Sequence, residues 1–143
     1  FVIKKVISTE KINSINILSV YSKNFKHQLI WQKSLELVQE IYALTRQLDI
    51  TKQKNLITQL RNNVDALHSN IALSLIKIYS NSYNDIILQS LDLCDNLRAQ
   101  ILLLLKDQYI TEIIANDKLE KINTIYQALY ELLKEKNLPY SAN

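Results

Sequence analysis

Lys54, Arg61 and His68 stand at steps of seven. Seven residues are close to two helical turns, so on a helix the three line one edge. Lys52 is close by in sequence and Lys77 lies further along. Guanidinium forks and ammonium charges suit phosphate oxygens. With Lys33 from the preceding segment, they make a candidate nucleic-acid contact set of Lys33, Lys52, Lys54, Arg61 and Lys77. The competing reading is an ordinary solvated flank whose cations pair with carboxylates of neighbouring helices. Asp65, between Arg61 and His68, favours that reading because it would partly neutralise both.

Arg61 and His68 also frame the pattern Arg, six residues, His, with Asn62 directly after the Arg. This resembles the signature of the HEPN ribonucleases, small α-helical bundles that often dimerise to build a composite site. The resemblance implies that Arg61 would stabilise phosphate charge and His68 would serve in proton transfer or polarisation. It is the enzymatic alternative for this chain. Other chemistries find little support. His27 has Trp31 rather than a second ligand at i+4, and no Cys/His cluster exists, so no metal and no cofactor is expected. Without Gly there is no phosphate-cradling loop. Asp92 and Asp95 read as a solvated helix face, and Glu131, Lys134, Glu135 and Lys136 as surface charge. Among the eight Tyr residues, Tyr42 and Tyr126 sit on apolar stripes, whereas Tyr79 and Tyr83 flank a break and are freer to stack on bases.

The elements that must position these groups are helices. From Gln53 to Tyr79, Ile57, Leu60, Val64, Leu67, Ile71 and Ile78 recur at helical spacing, interrupted only by Ser74. Before this helix, a stripe of Ile30, Leu37, Ile41, Leu44 and Leu48 predicts a helix from about Lys26 to Leu48. Trp31, Leu35, Val38 and Tyr42 widen that stripe, so the helix touches more than one neighbour. Asp49 or Thr51 can cap the helix that follows. After a break at Asn81 and Ser82, a third helix is predicted to about Gln108, with Ile87, Leu91, Cys94, Ile101 and Leu105 on one face. A fourth runs from about Thr111 to Lys136 and stops at Pro139.

Zero Gly and one Pro argue against a multi-turn β fold. A hydrophobic content of 48% is too high for a disordered tail. The fold class is therefore all-α: an up-down-up-down four-helix bundle over residues 26–138, an N-terminal extension of uncertain structure over 1–25, and a C-terminal tail over 139–143. In the extension, FVIKKVI suits a strand or a frayed helix. The chain opens on Phe1 rather than Met, which points to a fragment boundary or a processed end. No segment approaches the ~20 apolar residues of a membrane span, and the opening has no signal-peptide core. Cys94 is the only cysteine, so no internal disulfide forms, and a reducing, cytoplasmic setting is expected with Cys94 as an inert buried thiol.

The net charge of +3 is mild, but the first half is basic and the second acidic. That polarity can steer an anionic partner or align two helical hairpins. Leu73, Leu75 and Ile76, with Leu102, Leu103 and Leu104, exceed what one bundle seam needs. The alternatives are a thick core and a second buried face in a homo-oligomer.

Trp31-Gln32-Lys33 opens a helix running to Leu48; a short loop leads to Leu56-Ile57-Thr58-Gln59-Leu60-Arg61, and Asn70-Ile71-Ala72 follows. This order is similar to the four-helix bundle family encoded in intervening sequences of bacterial large-subunit ribosomal RNA genes, whose relatives include accessory variability proteins of diversity-generating retroelements. The resemblance spans about Leu29 to Lys136. It implies a homopentamer with basic surfaces, and its retroelement relatives bind nucleic acid and partner a reverse transcriptase; for this chain RNA is the favoured nucleic acid. In it Trp31, Gln59, Arg61, Asn70, Ile71 and Ala72 are family-typical and mainly structural. The chain departs in having Leu73-Ser74 where the family has Glu-Gly, and Asp95-Asn96-Leu97 where a small-residue pattern is expected. The reading is a non-enzymatic oligomeric scaffold for nucleic acid or a nucleic-acid enzyme, with no catalytic residue assigned and no membrane partner. The HEPN-like ribonuclease and a protein-protein adaptor are the alternatives.

Overall fold

Ile57, Leu60, Val64, Leu67, Ile71 and Ser74 are all buried, so the predicted seam is one continuous buried face. The computed structural model describes the backbone of residues 14–137 and the side chains of residues 25–135. Four helices follow in order: α1 (Ser14–Arg46), α2 (Ile50–Ile76), α3 (Tyr83–Lys106) and α4 (Glu112–Asn137). The connections are short, consecutive helices pack side by side, and α1 closes the ring against α4. This is the up-down-up-down bundle expected from the spacing.

The core is aliphatic. Ile30, Leu37, Ile41 and Leu44 of α1 meet the α2 seam, and Ile87, Cys94, Leu97, Ile101 and Leu104 of α3 meet Ala115, Ile122, Ile125 and Leu129 of α4. Burying each large aliphatic side chain contributes about 1.5–3 kcal/mol before the entropy of ordering is counted. Buried hydroxyls are satisfied within their own helices. Ser74 donates to the Ile71 carbonyl, Ser90 to Ile86 and Thr45 to Ile41. The interruption at Ser74 is thus no gap in the seam.

The helix ends follow local chemistry. Asp49 Oδ1 accepts from the backbone N–H and the hydroxyl of Thr51 and caps α2. Thr111 Oγ1 accepts from the Ile114 N–H at the start of α4. At the end of α3, Gln108 N–H donates to the Leu105 carbonyl and Tyr109 N–H to the Leu104 carbonyl. This double bond pattern needs a left-handed residue, normally Gly. The glycine-free chain places Gln108 there, at φ 64°.

Three expectations change. The first helix starts at Ser14, twelve residues before Lys26, and takes in the second half of the 1–25 extension. No Gly or Pro in that segment stops a helix from running through it. The FVIKKVI reading and the 139–143 tail lie outside the described residues. Leu104, expected on a subunit surface, is fully buried in the core of the bundle. Tyr83, expected to be free, is also buried; it is the first residue of α3 and turns inward to meet His27 of α1. Among the described residues no helix is long and apolar enough to cross a membrane.

Candidate functional site

Helical spacing puts Arg61 and His68 on the edge of α2 that faces α1, and each is held by a different part of α1. Arg61 Nε donates to Thr45 Oγ1 at 2.9 Å, and the guanidinium lies 4.8 Å from the centre of the Tyr42 ring. Tyr42 in turn donates its hydroxyl to Asp65 at 2.6 Å. That bond to Asp65 holds the Tyr42 hydroxyl above its ordinary pKa. Asp65 accepts from Tyr42 through one oxygen and forms no salt bridge with Arg61. The plane of Arg61 is fixed on one side, while its Nη1 and Nη2 have no protein partner among the described residues. A fork held in this way loses little freedom on meeting a phosphate.

His68 Nδ1 lies 2.8 Å from Ser34 Oγ. Ser34 has one hydroxyl hydrogen and gives it to the Trp31 carbonyl at 2.7 Å. The proton between Ser34 and His68 therefore sits on Nδ1, which leaves Nε2 as an acceptor in the neutral ring. The imidazole packs on Trp31 with ring centres 5.0 Å apart. Arg61 and His68 are seven residues apart on one helix, on the order of 10 Å along its axis. They share no hydrogen-bond partner among the described residues.

The five candidate contact residues do not form one patch. Lys54 lies on the Arg61 edge. Lys52 is separated from that edge by a kink at Gln53, whose φ of −120° and ψ of 24° are not helical. Lys77 follows the far end of α2, roughly 37 Å along the axis from Lys52. Lys33 lines a cleft between α1 and α4 with Glu36, Glu40 and Lys121. None of the five has a carboxylate partner among the described residues. The cations that do pair are Lys26 with Glu135, Arg98 with Asp95, and Lys118 and Lys121 with Glu40 and Asp117.

Sequence reasoning missed that last cluster, because its members come from α1 and α4. Burial of Glu40 opposes its charge, but hydrogen bonds from Lys118 and Lys121 outweigh it and hold the carboxyl below its ordinary value. The bond to Glu40 raises Lys121. The buried His27–Tyr83 pair was missed too, with His27 Nε2 and Tyr83 Oη 2.9 Å apart. Burial pushes the Tyr83 hydroxyl up to about 12. Burial also takes the Cys94 thiol up to about 12, so the inert reading of that residue holds. No group of three His, Cys, Asp or Glu among the described residues could hold a metal ion.

The surface leucines separate as well. Leu73 and Ile76 are exposed near the C-terminal end of α2 and Leu75 is half-buried. Leu102 and Leu103 are exposed near the C-terminal end of α3. These helices are antiparallel neighbours, so the two patches sit at opposite ends of the bundle.

The architecture defines the class as a four-helix bundle with an Arg-bearing edge between its first two helices. The model of the 23S rRNA-intervening sequence proteins matches residues 26–131, and the chain belongs to that family. A crystal structure from Bacteroides thetaiotaomicron, a protein of unknown function from the S23 ribosomal protein family, has the same fold. It superposes with a TM-score of 0.70 at 20% identity, over 76% of this chain and 98% of that one. No curated protein matches the chain.

Proposed function

We propose that this chain is a non-enzymatic, oligomeric helical scaffold that binds nucleic acid, RNA in the first place, or a nucleic-acid enzyme. The observation that carries the reading is the state of the α2 cations. Among the described residues Lys54 and Arg61 share one edge without a carboxylate partner, and Asp65, the one acid between Lys52 and Tyr79, accepts from Tyr42 and makes no salt bridge with Arg61. The pinned Arg61 fork supplies a ready phosphate contact. Lys52 and Lys77 extend the basic surface along the helix. Lys33 lies on another face, where a second strand or a second subunit would have to reach it. Membership of the 23S rRNA-intervening sequence family is compatible with the scaffold role.

The test is binding of labelled RNA by fluorescence anisotropy across a salt series. Affinity is expected to fall steeply with salt, and the double variant Lys54→Gln, Arg61→Gln is expected to reduce the slope by about two, one for each lost phosphate contact. Salt-independent binding, or binding unchanged in the double variant, overturns the reading. RNA incubated with the protein is expected to stay intact. Cleavage abolished by His68→Ala would favour the nuclease instead.

A further inference from the structure

The pair Trp31–His68 is more elaborate than packing requires. Trp31 is the only tryptophan of the chain and is half-buried, as is His68 beside it. Ser34, fully buried, fixes the imidazole from behind and sets its tautomer. Two polar edges are left over. The indole N–H of Trp31 and Nε2 of His68 have no hydrogen-bond partner among the described residues. One is a donor and the other an acceptor. A leucine at position 68 would fill the same space against Trp31 without the unmatched acceptor.

We propose that the Trp31–His68 pair, held by Ser34 on the α1–α2 edge, is a seat for one unpaired nucleobase. Every base presents neighbouring donors and acceptors on its edges, and these are available only when the base is not paired. Arg61 lies two turns along the same edge, with its free Nη groups placed for the backbone of the strand that carries the base. This rests on the nucleic-acid reading above and adds to it a single-stranded substrate and a point of base contact.

The single tryptophan makes the test direct. Trp31 emission and the anisotropy of a labelled single-stranded RNA dodecamer are followed in one titration, with a duplex of the same sequence and an abasic sugar-phosphate dodecamer as competitors. The expected result is binding with quenching of Trp31, competition by single strand ahead of duplex, and weak competition by the abasic strand. His68→Ala is expected to weaken single-strand binding about tenfold, within the range of one base contact. His68→Gln, which keeps an acceptor if the ring is needed only for its polarity, controls for misfolding together with the far-UV CD melt. Binding with unchanged Trp31 emission, or equal competition by the abasic strand, overturns the base seat while leaving phosphate-led binding intact. No binding of any RNA overturns both.

Discussion

Arg61 donates to Thr45 and lies over Tyr42, while Tyr42 donates to Asp65. The spacing of Lys54, Arg61 and His68 was legible from the sequence, because steps of seven keep to one helical edge. Asp65 keeps its charge close to Arg61, but the two form no direct ion pair. An aspartate four residues from an arginine is within reach of it, but the hydroxyl of Tyr42 on another helix takes the carboxylate first. His27 and Tyr83 are 56 residues apart, and no local signal links them. Tyr83→Phe is expected to cost about 1–3 kcal/mol in urea unfolding, since His27 loses that partner in a buried place. Tyr83 and Cys94 also contribute to how stability falls at alkaline pH. Both hold their protons to about 12 in the fold, against ordinary values of 10.0 and 9.0. The unfolded chain ionises first, so their contribution is present below about pH 9 and is lost as pH rises toward 12. Unfolding midpoints should fall over that window, and Cys94→Ala should delay the onset of the fall to about pH 10.

At the scale of the element, the end of α3 is the clearest compromise. Gln108 occupies a left-handed position that Gly takes at no steric cost. Gln108→Gly is expected to stabilise the protein by about 1 kcal/mol, read as a higher urea midpoint at unchanged slope. The seam between α1 and α4 depends on charge more than the other seams do. Glu40 and Asp117 sit below their ordinary values of 4.5 and 3.8, so their contribution holds above those values and is lost as pH falls through the depressed ones. These pairs are partly exposed, and the loss is modest. On acidification below about pH 4, hydrogen-exchange protection factors are expected to fall in α4 before α3, and Glu40→Gln should remove most of the difference. Helix positions were legible because each stripe has a 3.6-residue period. The early start of α1 was not, because the residues before Lys26 break the stripe without containing anything that breaks a helix.

For the whole molecule, the two exposed leucine patches constrain any assembly. They lie on the order of 25 Å apart along the bundle axis, at 1.5 Å of rise per residue. One flat contact does not cover both, whereas a ring with two unlike contact surfaces can use both. If the scaffold is such a ring, Leu73→Asp with Ile76→Asp and Leu102→Asp with Leu103→Asp should each reduce the mass in solution by light scattering. Loss in only one variant would assign the contact to one end. A wild-type monomer would remove the oligomer from the proposed function. The class of fold, the four helices and most of the core were determined by sequence alone, because apolar period, absent glycine and short polar breaks act locally. The tertiary structure decided which polar groups are spent and which are left. Leu104 and Tyr83 turn inward, Glu40 gathers two lysines, and Asp65 goes to Tyr42 while Arg61 keeps its outer nitrogens. Those outcomes depend on which helices become neighbours and at what level they face each other. Pairings between residues far apart in the chain are created only when the bundle closes.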